Sequence, residues 1–217
     1  MSGVTQQALV DTLLKRHGLT YAEELGIQVS RNTPSELFQL LCAALLFSAR
    51  IRSGAAKEAF QALKSAGWIT AEKMAASTWE ERTRTLNQHG YARYDESTSR
   101  MLGETAKRLL DDYAGDLRRL REAAGSKPSL ERQHLKGFKG IGEVGADIFC
   151  REVQVVWKEL YPFADKRALA SAARLDLPTQ AEQLARLATP ADFPRLVDAL
   201  VRVELAKQHE QIKAYAH

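Results

Sequence analysis

The residues with the most distinctive chemical potential lie in one stretch, Leu135-Lys-Gly-Phe-Lys-Gly-Ile-Gly-Glu-Val-Gly-Ala-Asp-Ile-Phe149. Gly140, Gly142 and Gly145 are spaced so that a tight turn runs directly into a helix opening at Glu143. Glycine lets the backbone bend sharply and lets another molecule approach with no Cβ in the way. The first turn of a helix leaves N–H groups without carbonyl partners, and the helix dipole adds partial positive charge there. Such a turn suits an anion, phosphate above all. Ile141, between two glycines, is predicted to plug into the core and hold the bend rigid. Twenty residues after Gly145, the apolar segment Tyr161-Pro-Phe-Ala ends in Asp165 at the start of a helix. A carboxylate there can cap the helix. It can also stabilise developing positive charge or orient a water. Position alone leaves both roles open.

Other reactive groups are sparse. The two cysteines, Cys42 and Cys150, sit among apolar neighbours and are predicted core residues. Two thiols cannot build a disulfide framework or a four-cysteine cluster. His17, His89, His134, His209 and His217 are scattered, which argues against a zinc or iron site. The net charge of +4 is mildly basic. Three segments each carry three basic residues and no acid: 44–57 (Arg50, Arg52, Lys57), 82–94 (Arg82, Arg84, Arg93) and 132–142 (Arg132, Lys136, Lys139). Solvated surface patches are their plain reading, and nucleic-acid contact is the sharper one. Trp68, Trp79 and Trp157 are open between core packing and stacking. No apolar run approaches the roughly 20 residues that span a bilayer. No basic stretch followed by an apolar block opens the chain, so a cytoplasmic location is expected.

The elements that must position these residues read as helices throughout. Thr33-Pro-Ser-Glu36 is a capping box with proline at the first helical position. The helix it opens, through about Phe47, is apolar nearly all round, as in the middle of a bundle. Ser77-Thr-Trp-Glu80 is a second box, with its helix stopping near Gly90. Asp95 is predicted to cap a third helix with Met101, Leu102, Ala106, Leu109, Leu110 and Tyr113 on one side. The turn is framed by a helix from about Ser129 to Lys136 and one from Glu143 with Phe149, Val153, Val156 and Leu160 as its buried stripe. Thr179-Gln-Ala-Glu182 is another box, and a last helix runs from about Pro194. No run alternates with period two, so the fold class is all-α. The stretch before Thr33 and Asp176-Leu-Pro178 read as connections between two lobes.

The spacing Leu135…Phe138-x-Gly140-Ile141-Gly142-x-x-Gly145-Ala146 resembles the helix-hairpin-helix motif, which grips DNA phosphate without reading sequence. With Asp165 downstream, the chain resembles the endonuclease III (HhH-GPD) superfamily of DNA glycosylases over roughly Thr33 to Leu175. That resemblance implies a six-helix barrel domain, 33–154, with the hairpin at about 129–159. It implies a second helical lobe from both chain ends, 1–32 with 155–217. It makes Asp165 the catalytic carboxylate and gives the phosphate to the amides of Gly140, Gly142, Val144 and Gly145. Carbonyls of Lys136, Phe138 and Ile141 would bind a structural Na⁺ or K⁺. Arg50 and Tyr91 stand where the family has loops that enter the DNA, although Tyr91 could equally pack at a helix end. Lys166 and Arg167 would face phosphate, or else be plain surface charge.

Two departures narrow what the resemblance implies. Family members that also cut the strand carry a lysine where this chain has Val144. Many members carry an iron–sulfur cluster on four cysteines that this chain lacks, as do small alkylpurine glycosylases. The implied activity is a monofunctional base-excision-repair hydrolase, monomeric, needing no cofactor and acting at the nucleoid. Its substrate would be a damaged base, an alkylated purine by preference, flipped from double-stranded DNA. The alternatives are a non-catalytic DNA-binding protein on the same scaffold, and an all-α partner-binding module whose hairpin is structural.

Overall fold

The computed structural model describes residues 5–216, and all regular structure among them is helical. Two compact units are present: Met1–Glu24 with Leu160–His217, and Leu25–Glu159. The joins lie at 24/25 and 159/160, whereas the sequence suggested 32/33 and 154/155. Residues 25–32 belong with the second unit because Lys64 donates to the carbonyls of Leu25 and Gly26, and Glu36 accepts the Gln28 N–H at 2.9 Å. Residues 155–159 belong there because Trp157 packs edge-on against Phe149 and Glu159 pairs with Arg121.

The first unit opens with α1 (Gln6–His17), capped by the Thr5 side chain, and α2 (Tyr21–Leu25), which ends at the join. Thr20 and Glu23 form a reciprocal capping box at α2 that the sequence reading missed. The second unit holds α3 (Pro34–Ser48), α4 (Ser53–Ser65), α5 (Ala71–Ala76), α6 (Trp79–Leu86), α7 (Asp95–Tyr113), α8 (Leu117–Ala123), α9 (Pro128–Lys136) and α10 (Glu143–Val153). The chain then returns to the first unit with α11 (Lys166–Arg174), α12 (Ala181–Leu184), α13 (Phe193–Ala206) and α14 (His209–Tyr215). A cis peptide joins Tyr161 to Pro162.

As its composition predicts, α3 is buried on every side from Leu37 to Leu46. It forms the axis of the second unit, with α4 and α10 packed along it. Leu9, Val10 and Leu13 of α1 meet Ala168 and Ala172 of α11 and Leu196, Leu200 and Val203 of α13 in the core of the first. Burial of this kind contributes roughly 1.5–3 kcal/mol per large aliphatic side chain.

Several helix starts differ from the sequence reading. Thr33 does cap α3, but Glu36 turns its carboxylate to Gln28 rather than back to Thr33. The box before α6 is Thr78 with Glu81, one residue later than expected. Ser77 is unavailable, because its hydroxyl donates to the Met74 carbonyl and accepts from Arg82, closing α5. Asp95 is the first residue of α7, not its cap, and its carboxylate accepts from Glu96 N–H and Asn87 Nδ2. Thr179 caps nothing, since α12 starts after Gln180 without a side-chain cap. α10 stops at Val153, so Val156 and Leu160 lie beyond it. α14 follows α13, which is therefore not the last helix.

Candidate functional site

The glycines of the hairpin have separable jobs. Gly140 has φ +85°, and a Cβ there would lie 2.6 Å from Met101 Sδ. Both conformation and space demand glycine. A Cβ on Gly142 would meet nothing within 4 Å, so the turn is open on that side. Gly145, in the first turn of α10, is buried against Ile141. Phe138 and Ile141 are both buried, as the pattern predicts. The first hydrogen bond of α10 runs from Ala146 N–H to the Gly142 carbonyl at 3.0 Å. The amides of Glu143, Val144 and Gly145 therefore precede the helical ladder and have no intrahelical acceptor. Val144 itself is 45% exposed.

α7 holds the other edge of the turn. Thr105 Oγ1 donates to the Lys139 carbonyl at 3.2 Å, and the Arg108 guanidinium donates to the Gly137 carbonyl. Sequence reasoning missed both residues. Their signal is the row Met101, Thr105, Arg108, which puts polar groups on one helical face that looks at the hairpin.

Charge around the turn is largely self-compensated. The Glu143 carboxylate takes Lys136 Nζ and Arg132 Nη2, and Arg132 Nη1 pairs with Asp147 at 2.6 Å. The hydrogen bond from Lys136, seconded by Arg132, holds the Glu143 carboxyl below the usual carboxylate range. The basic segment 132–142 thus spends two of its three cations within the hairpin. Lys139 is exposed and makes no ion pair among the described residues.

A monovalent cation at the hairpin would need open acceptor capacity on the carbonyls of Lys136, Phe138 and Ile141. The Phe138 carbonyl accepts Ile141 N–H at 3.1 Å, while those of Lys136 and Ile141 take no amide among the described residues. A carbonyl has two lone pairs, so the first of these retains capacity. The cysteines do not fit a four-thiolate cluster: only Cys42 and Cys150 exist, and both are buried. Burial raises both thiols, Cys150 to about 12. No three His, Cys, Asp or Glu side chains converge among the described residues, and His217 lies outside them.

Asp165 is the N-cap of α11 and 7% exposed. Its Oδ1 accepts Arg167 N–H at 2.8 Å and Ala168 N–H at 3.1 Å. Two main-chain donors on one oxygen fix the carboxylate in place. Lys166 and Arg167 are exposed in the first turn that follows.

Of the two expected loop residues, one is at the surface. Arg50 is exposed between α3 and α4. Tyr91 is 1% exposed, and its hydroxyl donates to the Leu46 carbonyl. Burial pushes its phenol up to about 12. A side chain so enclosed cannot wedge into another molecule, so the expected role for Tyr91 gives way to packing. Around it Asn87, Gln88, His89, Gly90, Ala92 and Arg93 are all exposed. Arg82, counted with the basic segments, is also internal at 6% exposure.

No protein-family model and no curated protein sequence matches the chain. Among solved structures it is similar to a trapped endonuclease III–DNA covalent intermediate, an estranged-adenine complex, with a TM-score of 0.55. Identity is 16%, over 94% of this chain and 86% of that one. At that identity the likeness is one of architecture: the chain has an endonuclease III-like, all-helical fold.

Proposed function

We propose that this protein is a DNA glycosylase that hydrolyses the N-glycosidic bond of a damaged base in duplex DNA. The observation that carries the reading is the hairpin, with an open face at Gly142 and the amides of 143–145 unclaimed by the helix. Main-chain amides at a helix start bind phosphate oxygens irrespective of sequence. The likeness to a structure trapped on DNA supports DNA as the ligand.

In this reading Asp165 is the catalytic carboxylate. Base loss develops positive charge on the deoxyribose, as in other glycoside cleavages. A carboxylate fixed by two amides supplies a preorganised negative charge and can orient the attacking water. Lys166 and Arg167 would bind flanking phosphates, and Arg50 would fill the space left by the flipped nucleotide. Unstacking that nucleotide costs a few kcal/mol, which such contacts offset. Val144 has no amine to form a Schiff base, which favours a monofunctional hydrolase leaving an intact abasic site. A cation on the hairpin carbonyls would stiffen the turn. The cysteines do not fit an iron–sulfur cluster, and we assign alkylated purines as the substrate class. A second reading, a non-catalytic DNA-binding protein on this scaffold, is favoured by the near-complete burial of Asp165.

The test is a panel of duplexes carrying alkylated, deaminated or oxidised bases, incubated with excess protein and then treated with alkali. Release of the free alkylated purine with alkali-dependent strand cleavage is expected. Cleavage without alkali, trapped by borohydride, would mean a lyase. Duplex binding with no base released from any lesion would favour the second reading.

A further inference from the structure

The guanidinium of Arg82 on α6 is an internal cation that forms no salt bridge among the described residues, with Glu80 and Glu81 acting on it only at longer range. Nε donates to the Ser99 carbonyl at 3.0 Å. Nη1 donates to the carbonyls of Met74 and Ser77 and to Ser77 Oγ. All four acceptors are neutral, and Arg82 makes no salt bridge among the described residues. Burial lowers its pKa, as expected for a cation removed from water. Buried charges are ordinarily paired, because an unpaired one costs several kcal/mol. The third nitrogen, Nη2, makes no hydrogen bond among the described residues. It lies against Gly103 of α7, where a Cβ would come within 2.5 Å of it.

Arg82 and Gly103 line an open cleft of about 590 Å³ bounded by α5, α6 and α7. Arg100 and Lys107 stand on its α7 wall, with Glu104 between them as the lone acid of the lining. Arg100 is exposed and has no ion pair among the described residues, while Lys107 is held by Asp111 at 2.6 Å. The half-exposed indole of Trp79 forms part of the lining, its N–H fixed on the Glu96 carbonyl at 3.2 Å. The cleft row 100, 103, 104 and 107 lies about a third of a turn around α7 from the row 101, 105 and 108 that meets the hairpin. This is a separate surface. Its volume is in the range of small-ligand sites.

We propose that this cleft binds a nucleoside monophosphate, free or as the 5′-phosphorylated end of a strand. The phosphate sits on Arg82 Nη2 and Arg100, and the base lies against the Trp79 indole. The anion supplies a close counter-charge for Arg82, whose Nη2 is seated against α7 in the space that a side chain at Gly103 would take. Arginine forks match phosphate oxygens in geometry, and aromatic faces accept any base.

Calorimetric titration of the full chain with deoxyadenosine monophosphate, deoxyadenosine and inorganic phosphate tests this. Further arms use a dinucleotide with and without its 5′-phosphate and distinguish the two sources. Binding of the monophosphate but not the nucleoside is expected, with inorganic phosphate weaker. Loss of one charge-assisted contact in Arg100→Ala should weaken it about tenfold or more. Glu104→Gln should tighten it. Arg82 also closes α5, so the test uses these neighbours, each checked for an unchanged melting profile. A wild-type chain that fails to bind the monophosphate would overturn the proposal. So would equal binding of the nucleoside, or affinity indifferent to Arg100→Ala.

Discussion

The Tyr91 hydroxyl donates to the Leu46 carbonyl at 3.0 Å, tying the turn at 87–91 to the last turn of α3. α3 ends at Ser48, so that carbonyl has no helical amide to accept. The pairing joins the exposed loop carrying Arg50 to the one carrying Arg93. Tyr91→Phe keeps the ring and leaves a buried carbonyl unsatisfied, a cost of about 1–3 kcal/mol. A lower urea midpoint and faster amide exchange over 48–52 are expected. Unchanged exchange in that loop would show that the bond does not fix it.

Much of the architecture is readable from the chain. The apolar α3, the glycine hairpin and the cap at Asp165 all follow from local chemistry, because each involves neighbours within a few residues. What escaped depends on partners in other helices or turns. Ser77 and Thr78 are equally good caps, and only Arg82, arriving from the next helix, decides between them. Tyr91 in a glycine turn looks exposed until Leu46, 45 residues away, claims its hydroxyl. Arg132 and Lys136 look free until Glu143 and Asp147 of the following helix fold back on them.

Gly140 and Gly142 of the hairpin should respond differently to alanine. At Gly140 a Cβ meets Met101 Sδ in a left-handed backbone, so Gly140→Ala should cost about 1–3 kcal/mol in urea melts. At Gly142 the backbone is extended and the space open, so stability should hold within about 0.5 kcal/mol. Duplex binding, read by fluorescence anisotropy at two salt concentrations, should nonetheless weaken as the methyl blocks the amides. Undiminished binding by Gly142→Ala would place the phosphate elsewhere.

Glu131 on α9 is 0% exposed, and neither carboxyl oxygen receives a hydrogen bond. Burial, with Glu159 alongside, pushes it up to about 8, so the folded chain retains its proton. Glu159 goes the other way: against the upward pull of burial, two contacts from Arg121 hold it at about 2. The unfolded chain releases the Glu131 proton near its ordinary value of 4.5, whereas the folded chain keeps it. Its contribution is therefore lost as pH rises from about 4.5 through about 8. The Glu159 contribution is present above 4.5 and lost as pH falls toward about 2. Glu131→Gln should flatten the decline in urea midpoint between pH 5.5 and 8.5. A slope identical to wild type would assign that decline to other groups.

Whether Asp165 is catalytic is decided by the single-turnover rate of base release from an alkylated-purine duplex by Asp165→Asn. Asparagine caps a helix about as well as aspartate, so melting and duplex binding should be preserved. The variant loses only the negative charge. A unit charge pair about 4 Å apart in an effective dielectric near 20 interacts by about 4 kcal/mol, on the order of a thousandfold in rate. A drop of that size with folding and binding intact is expected. A rate within a few fold of wild type would leave Asp165 as the cap of α11 and nothing more.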